Sequence, residues 1–322
     1  MLRRLNLIAA LAVLPLIVPL ATRADDSNPK QFQLLKDELD EVTVLYGGEL
    51  FTRYLTRTGY KPYLWPLVGP GGKLFTRSYP MIKGLDEERQ DHHHHRSLWF
   101  THGDVNGTDF WSETDKSGRT KHQEYLAIEG GETGKIKTRN AWVDTDGKQV
   151  CTDVRTLTFR VDGDKRIIDF DITITAGEEP VTFGDTKEGM FGVRIPTAMD
   201  VKAPGSGHIL TSEGIQDKEA WGTQAKWVDY YGPLDGETVG VAILNHPGSF
   251  RYPTYWHVRD YGLFAPNPFG LHHFKNSKDV DGSYTIKPGE SITFNYRVIL
   301  HAGDAKSAQI AEEFERYAAE KK

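Results

Sequence analysis

Histidines are concentrated in one short segment of this 322-residue chain. Four of the twelve histidines stand consecutively at residues 92–95, and His102 and Asp104 follow after a strand-like stretch. Imidazoles beside carboxylates can transfer protons near neutral pH or bind a divalent metal. If the segment is extended, alternate residues share a side, so at most two of the four adjacent imidazoles point to one site. The alternative is a polar strand edge whose histidines pair with carboxylates.

A further histidine lies beside an arginine towards the C-terminus. His257 and Arg259 alternate with Trp256 and Val258, which places the two basic side chains on one face of a strand. Such a pair suits an anionic or oxyanionic group, because arginine offers a fixed fork of donors and histidine a titratable proton. Alternatively, Arg259 holds a loop carboxylate. The functional interpretation requires this face and the histidine-rich segment to meet at one cleft.

Aromatic and acidic residues near these segments are typical of a sugar site. Flat rings pack on sugar C–H groups while neighbouring polar groups bind hydroxyls. Glu188 lies in a glycine-rich segment that allows its side chain to turn inward. Glycoside hydrolysis uses two carboxyl groups, whereas epimerisation or elimination uses one base and one acid. The sequence supplies these groups without pairing them.

Three sets of candidate residues follow from these patterns. The candidate acid–base groups are His94, His95, His102, Glu188 and His257. The candidate substrate contacts are Arg96, Trp99, Asp104, Trp111, Arg194, Trp256, Arg259 and Asn267. A divalent metal is an open alternative as cofactor, with candidate ligands His95, His102 and Asp104.

Composition and missing motifs exclude several functional classes. The net charge is −6 and the sequence has no basic stripe that could neutralise phosphates, which argues against a general nucleic-acid-binding protein. No glycine-rich nucleotide loop, Gly-x-Ser-x-Gly elbow or His-Glu-x-x-His motif is present, so nucleotide chemistry and the commonest hydrolase plans lack support.

Strands must position these side chains. Apolar and polar residues alternate on both sides of the turn at residues 162–164, which predicts a hairpin with one buried and one solvated face. The same alternation recurs at residues 292–300. One helix is predicted from about Ala305 to Ala319, with Asp304 as its cap. The simplest architecture is an all-β, large antiparallel sandwich with one C-terminal helix, and two fused β domains are the alternative.

The N-terminus predicts export. Arg3 and Arg4 precede an apolar run that ends at Leu20, and small residues lead to a cleavage site after Ala24. Residues 1–24 are therefore predicted to be a signal peptide and residues 25–322 a single β-sandwich domain in the periplasm or outside the cell. An uncleaved anchor is the alternative. No later segment is apolar and long enough to span a membrane.

Several segments carry a family resemblance. Residues 91–111, 187–194, 227–230 and 253–270 resemble a bacterial family whose members are labelled "methane oxygenase PmoA" and otherwise treated as a domain of unknown function. The membrane-bound subunit of that name needs several spanning helices, and this chain has none after its export signal, so we take the label as a misnomer. A proline is usual in the family at position 93. Its replacement by His93 leaves His94, His95 and Arg96 in place and makes roles for His92 and His93 less expected.

The resemblance implies an exported sandwich of the galactose mutarotase class (a supersandwich), similar to proteins associated with bacterial glycan breakdown, without a settled mechanism. The leading hypothesis is an enzyme that acts on a sugar or glycoside by hydrolysis, lysis or epimerisation. A non-catalytic glycan-binding protein is the second hypothesis. A metal-dependent oxygenase is the third, because His102-x-Asp104 imitates the two-histidine, one-carboxylate iron site.

Overall fold

Short strands separated by tight turns make up most of the chain. The computed structural model describes residues 30–203 and 207–322. The predicted signal peptide therefore lies outside the described residues. Gln31–Lys322 form one compact unit.

The described residues form nineteen strands and two short α-helices. In chain order the strands are β1 (Phe32–Lys36), β2 (Val42–Tyr46), β3 (Glu49–Leu55), β4 (Tyr63–Leu64), β5 (Leu98–His102), β6 (Arg119–Glu129), β7 (Gly134–Val143), β8 (Gln149–Asp162), β9 (Lys165–Ala176), β10 (Val181–Phe183), β11 (Gly189–Arg194), β12 (His208–Thr211), β13 (Gln224–Ala225), β14 (Trp227–Leu234), β15 (Glu237–Asn245), β16 (Thr254–Val258), β17 (Leu263–Asn267), β18 (Tyr284–Ile286) and β19 (Ser291–Ala302). The helices are α1 (Leu271–Phe274) and α2 (Ile310–Ala318).

The strands assemble into two large sheets and one small one. The nine-stranded sheet has the order β1-β2-β3-β4-β5-β11-β17-β16-β13, and the eight-stranded sheet has the order β12-β14-β15-β19-β9-β8-β7-β6. Strands β10 and β18 form a separate pair. Neighbouring strands in the described residues pair antiparallel, as in β5–β11 and β9–β19. The predicted all-β antiparallel class is confirmed.

Aromatic side chains from both sheets form the core between them. Phe100 on β5 lies 6.1 Å from Phe170 on β9 and 5.8 Å from Phe294 on β19, measured between ring centroids. Phe191 on β11 stacks on Tyr296 at 4.7 Å. Burial of each such ring contributes about 1.5–3 kcal/mol, so this layer holds the two sheets face to face.

The predicted hairpin is the β8–β9 pair. Asp162 pairs with Lys165 across a two-residue turn, and the register continues to Cys151 and Ala176. The solvated face differs from the prediction at Asp169, which is buried. Its carboxylate accepts hydrogen bonds from Arg297 on β19 at 2.7 and 3.1 Å, and the charge pairing compensates for the burial.

The C-terminal helix is confirmed, but it begins later than predicted. Asp304 caps a turn rather than the helix, since its Oδ1 accepts from the Ser307 backbone N–H at 2.8 Å. Gln309 adopts a left-handed conformation at φ 56°, so regular helix starts only at Ile310. Across the described stretches, we find no helix with both the length and the apolarity that a bilayer span requires.

His301 and Asp229 form a buried ion pair within the eight-stranded sheet. His301 Nε2–H donates to Asp229 Oδ1 at 2.9 Å and Nδ1–H donates to the Ala302 carbonyl at 3.1 Å, so the ring is an imidazolium. Burial lowers the pKa of His301, but the Asp229 carboxylate and its hydrogen bond outweigh burial and raise the pKa above its ordinary value. A raised folded-state pKa gives a contribution to stability that is complete below about pH 6.5 and is lost as pH rises through the folded pKa.

Asp229→Asn is therefore expected to destabilise the protein more at pH 6 than at pH 9. The expected loss at pH 6 is roughly 1–3 kcal/mol, because the charged ring loses its counterion while one hydrogen bond to the amide oxygen survives. Urea unfolding of both proteins at the two pH values measures the difference. Equal losses at pH 6 and pH 9 would show that His301 does not carry a charge in the folded protein.

Candidate functional site

A cleft of about 410 Å³ lies over the face of the nine-stranded sheet that is turned away from the core. It is lined by His92, His94, His95, Trp111, Ser112, Lys187, Glu188, His257, Arg259 and Tyr261. These residues come from three distant segments: the region before and after β5, the residues before β11, and the end of β16 with its connection to β17. The structure thus brings the histidine-rich segment and the His257–Arg259 segment to the same cleft.

The consecutive histidines form a turn instead of an extended segment. The His95 backbone N–H donates to the His92 carbonyl at 2.9 Å, and β5 begins only at Leu98. The alternation expected for a strand therefore does not apply at residues 92–95. As a result, three of the four imidazoles line the cleft, and only His93 points away, where its Nε2–H donates to the Glu113 carbonyl at 3.1 Å.

Two buried guanidinium groups hold this turn through Asp91. The Asp91 carboxylate accepts from Arg77 Nη1 at 2.6 Å and from Arg194 Nη2 at 2.7 Å. Arg77 also donates to the His92 carbonyl at 3.0 Å. Burial alone would raise the pKa of Asp91, but a hydrogen bond from His92 and the two guanidinium groups hold it below its ordinary value. The base of the turn is thus a fixed ionic cluster.

Arg194 also determines the protonation of His95. Arg194 Nη1 donates to His95 Nδ1 at 2.9 Å. A guanidinium can only donate, so Nδ1 must be the acceptor and the neutral ring carries its proton on Nε2. Burial, with smaller effects from His94 and Arg194, holds the pKa of His95 well below its ordinary value, so the ring is neutral at pH 7. Nε2–H has no hydrogen-bond partner among the described residues and is available to a ligand in the cleft.

The aromatic wall of the cleft is a stack of parallel rings. His92 stacks on Tyr261 at 5.1 Å and on His95 at 4.8 Å, with interplanar angles of 6° and 10°. His95 in turn stacks on the buried ring of Trp99 at 5.3 Å. Stacking fixes the plane of the His95 ring and hence the direction of its Nε2–H.

Two more imidazoles in the cleft are neutral at pH 7. Burial lowers the pKa of His94 to about 3, with Lys61 as the next cause. Burial likewise lowers the pKa of His257 to about 3, followed by the charge of Arg259. On β16 the neighbours of His257, Trp256 and Val258, face the core, so the period of two turns His257 to the cleft.

Among the described residues, Glu188 is the single carboxylate that lines the cleft. Lys187 forms an ion pair with it, and the Glu188 carbonyl accepts from the Gly103 backbone N–H at 2.7 Å. The next residue must be glycine, since a Cβ at Gly189 would lie 2.5 Å from His102 Nδ1. The glycine-rich pattern around Glu188 thus reflects close packing of β11 against β5.

Six of the predicted site residues lie in the cleft and seven do not. Those in the cleft are His94, His95, Trp111, Glu188, His257 and Arg259. Those that do not line it are Arg96, Trp99, His102, Asp104, Arg194, Trp256 and Asn267.

The predicted substrate contacts outside the cleft have structural partners. Arg96 Nε donates to both carboxylate oxygens of the buried Glu113, at 3.0 and 2.8 Å. Trp256 Nε1–H donates to the Ala225 carbonyl at 3.0 Å within the core. Arg194 acts on the cleft through Asp91 and His95, and Trp99 acts on it through the ring of His95. These side chains are therefore corrected from substrate contacts to supports of the fold or of His95.

Asn267 and Asp104 hold loops. Asn267 Nδ2–H donates to the Thr186 carbonyl at 2.9 Å, which fixes the segment before Glu188. The Asp104 carboxylate accepts from the Gly107 backbone N–H at 2.9 Å and closes the turn after β5. Each side chain satisfies backbone groups that would otherwise be unpaired, so neither is placed to contact a ligand in the cleft.

His102 faces the interior. Its Nε2–H donates to the Gly184 carbonyl at 2.8 Å, its ring packs against Phe183 and Phe269, and burial lowers its pKa to about 4. The proposed set of His95, His102 and Asp104 does not converge. Within residues 30–203 and 207–322, no group of three or more His, Cys, Asp or Glu side chains is arranged to hold a metal ion. The described residues therefore provide no ligand set at His102-x-Asp104 for the iron-site hypothesis.

Four lining residues were not among the candidates: His92, Ser112, Lys187 and Tyr261. His92 was disfavoured because the resemblance placed weight only on the three residues after the usual proline. Tyr261 follows Arg259 in the turn between β16 and β17. The residues around it show no alternation of apolar and polar side chains that would predict a contact with His92. Its position depends on long-range packing.

The family of the chain is evident from its sequence. A family model described as "Family of unknown function (DUF6807)" matches residues 41–315. The methane oxygenase label is not part of this match. No curated protein matches the sequence at a significant level.

Similar solved structures include enzymes that act on sugars. An alpha-galactosidase from Lactobacillus brevis has a TM-score of 0.45 and 11% identity over 90% of this chain and 43% of its own. A galactose mutarotase related enzyme from Lactobacillus acidophilus has a TM-score of 0.34 and 10% identity over 84% of this chain and 97% of its own. A GH36 alpha-galactosidase from Geobacillus stearothermophilus has a TM-score of 0.38 and 11% identity over 84% and 41%. The chain spans less than half the length of both galactosidases, and none of these likenesses assigns a role to a residue.

Proposed function

The chain belongs to the DUF6807 family of unknown function, and from its cleft we propose that it is an exported enzyme that acts on a sugar or glycoside by acid–base chemistry. The observation that carries the proposal is the convergence of three neutral imidazoles, one carboxylate and one guanidinium on a single hollow. The export component rests on the basic and apolar residues 1–24 of the sequence alone.

The cleft has the mixed polar and aromatic lining that a sugar requires. The stacked rings of His92 and Tyr261 offer apolar surface to sugar C–H groups, and the buried Trp111 ring packs behind them against His95. Ser112, Lys187 and the Nε2–H of His95 offer hydrogen bonds to hydroxyl groups. A small number of fixed polar groups among rings is the usual composition of a small-molecule site.

The available groups support proton abstraction better than hydrolysis. The scheme of glycoside hydrolases needs two carboxyl groups, and Glu188 is the single one that the described part of the chain places in the cleft. Lysis or epimerisation needs a base, an acid and a stabiliser for negative charge on oxygen. Glu188, His94 or His257 can take the proton, and the His95 Nε2–H can stabilise the developing oxyanion. The protonated base can then act as the acid that returns a proton to the leaving oxygen or to the sugar carbon. We therefore favour lysis or epimerisation.

A panel of glycosides at pH 7, including oxidised keto sugars, tests the proposal. We expect product formation that is lost when His95 or His257 is replaced by alanine. Parallel assays with a chelator would reveal a metal requirement as a loss of activity. If no member of the panel is converted to product, the proposal that the protein is an enzyme is contradicted. Saturable glycan binding that survives both alanine substitutions, with no product, would instead identify a non-catalytic glycan-binding protein.

A further inference from the structure

Arg259 differs from the other arginines around the cleft because it has no carboxylate partner. Among the described residues, Arg77 and Arg194 pair with Asp91, and Arg96 pairs with Glu113, whereas no carboxylate lies within 4 Å of the Arg259 guanidinium. The adjacent Asp260 is engaged by Lys202 at 3.1 Å. An arginine that lines a cleft without an internal partner is available to an anion from outside.

The position of Arg259 restricts its guanidinium. The group lies 5.9 Å from the centroid of the Trp221 ring and 5.5 Å from that of Tyr261. Flanking rings limit the rotamers of the side chain and remove water from its faces, while its N–H edges stay free for a planar anion. Arg259 lines both the cleft and the hollow beside it, which Lys218, Trp221 and Asp260 border, and the Asp260 carboxylate there is paired with Lys202 and Lys218.

The charge around Arg259 is positive, although the chain as a whole is acidic. Lys187 and Arg259 are the cations of the cleft and Glu188 its single anion, which is already paired with Lys187. With the histidines counted as neutral, the lining carries one excess positive charge, while the net charge of the chain is −6. His257, two residues before Arg259, is buried and neutral, so it adds no charge to the lining.

On the basis of the proposed function, we infer that the sugar is acidic and that Arg259 binds its carboxylate. One unpaired guanidinium matches one negative charge, and its planar fork fits the two oxygens of a uronate. A carboxylate held here would also favour lysis or epimerisation, because it acidifies the neighbouring C–H bond and Arg259 stabilises the charge that develops on its oxygens.

Matched sugar pairs test this inference by binding rather than by turnover. The first pair of probes is the methyl glycoside of galacturonate and that of galactose, and the second pair is that of glucuronate and that of glucose. The methyl esters of the two acids and the 6-sulfates of the two neutral sugars are additional probes. Binding of each is measured by calorimetric titration. We expect at least one acid to bind about 10-fold or more tightly than its neutral partner and its ester. Arg259→Gln should lower acid binding about 10- to 100-fold and lower neutral sugar binding far less.

Arg139→Gln is the matched control, since Arg139 is exposed, pairs with Glu124 and lies outside the cleft. The inference is overturned if wild-type protein binds acid and neutral sugars equally, prefers the sulfates, or loses both kinds of sugar in parallel in Arg259→Gln with an unchanged melting temperature. Turnover of neutral sugars without a preference for acids would overturn the acidic-sugar inference but not the proposed enzymatic function. Binding of an acid without turnover would support the acidic-sugar inference and overturn the enzymatic function. No binding of any probe would overturn both proposals.

Discussion

Replacing His95 by alanine is expected to lower kcat/KM by about 10²- to 10³-fold, the usual cost of removing one donor to a developing oxyanion. Arg194 donates a hydrogen bond to His95 Nδ1, so the only polar group that His95 can offer to the cleft at pH 7 is its Nε2–H. This donor is held in place by the Arg194 hydrogen bond and by stacking between His92 and Trp99. A preorganised donor stabilises the transition state without reorganisation, which is why its loss affects kcat more than KM.

Two variants distinguish this role from a structural one. His95→Gln keeps an N–H donor and an acceptor for Arg194, so it should retain more activity than His95→Ala. His93→Ala removes an imidazole from the same turn that does not line the cleft, and it should change kcat/KM little.

The loss in His95→Ala should be equal at pH 6 and pH 8, because the pKa of His95 lies well below this range. If the wild-type activity depends on a group that titrates near pH 6.5, and this pH dependence is absent in His95→Ala, then His95 works as an acid or base instead.

The sandwich could be predicted because strand alternation is a local property. The β8–β9 hairpin and β19 follow from a period of two over many residues, and a short turn connects the pair. The start of α2 could not be predicted, because Gln309 takes a left-handed conformation that no helix propensity encodes. Asp169 was assigned to solvent for a related reason. Its burial depends on Arg297, which is far away in sequence.

The site could be predicted only as a set of residue types. Histidine, arginine and glutamate clusters indicated His94, His95, Glu188, His257 and Arg259, all of which line the cleft. Their roles depend on partners about a hundred residues away, as in the bond between His95 and Arg194. The assumption of an extended segment at residues 92–95 failed because Asp91 and its two guanidinium partners stabilise a turn there.

Arg96 illustrates why charged residues near a cleft are hard to assign from sequence. The run of four histidines and an arginine suggests one polar surface, but Arg96 does not line the cleft and joins a buried cluster. That cluster consists of Glu113 between Arg96 and Lys61, whose side chain is fully buried. Lys61 Nζ also donates to the His94 carbonyl at 3.1 Å, so the cluster is a second support of the histidine turn besides Asp91.

Glu113→Gln is expected to lower the free energy of unfolding by about 3–5 kcal/mol, because it leaves the ammonium of Lys61 buried without a counterion. Burial already lowers the pKa of Lys61, and Glu113 is the main group that opposes this effect. Urea unfolding at pH 7 measures the loss, with Glu124→Gln as control, since the exposed pair of Glu124 and Arg139 should contribute less than about 1 kcal/mol. Adding Lys61→Met to Glu113→Gln should recover part of the stability, because the unpaired charge is removed. If Glu113→Gln costs no more than Glu124→Gln, the histidine turn does not depend on this ionic cluster.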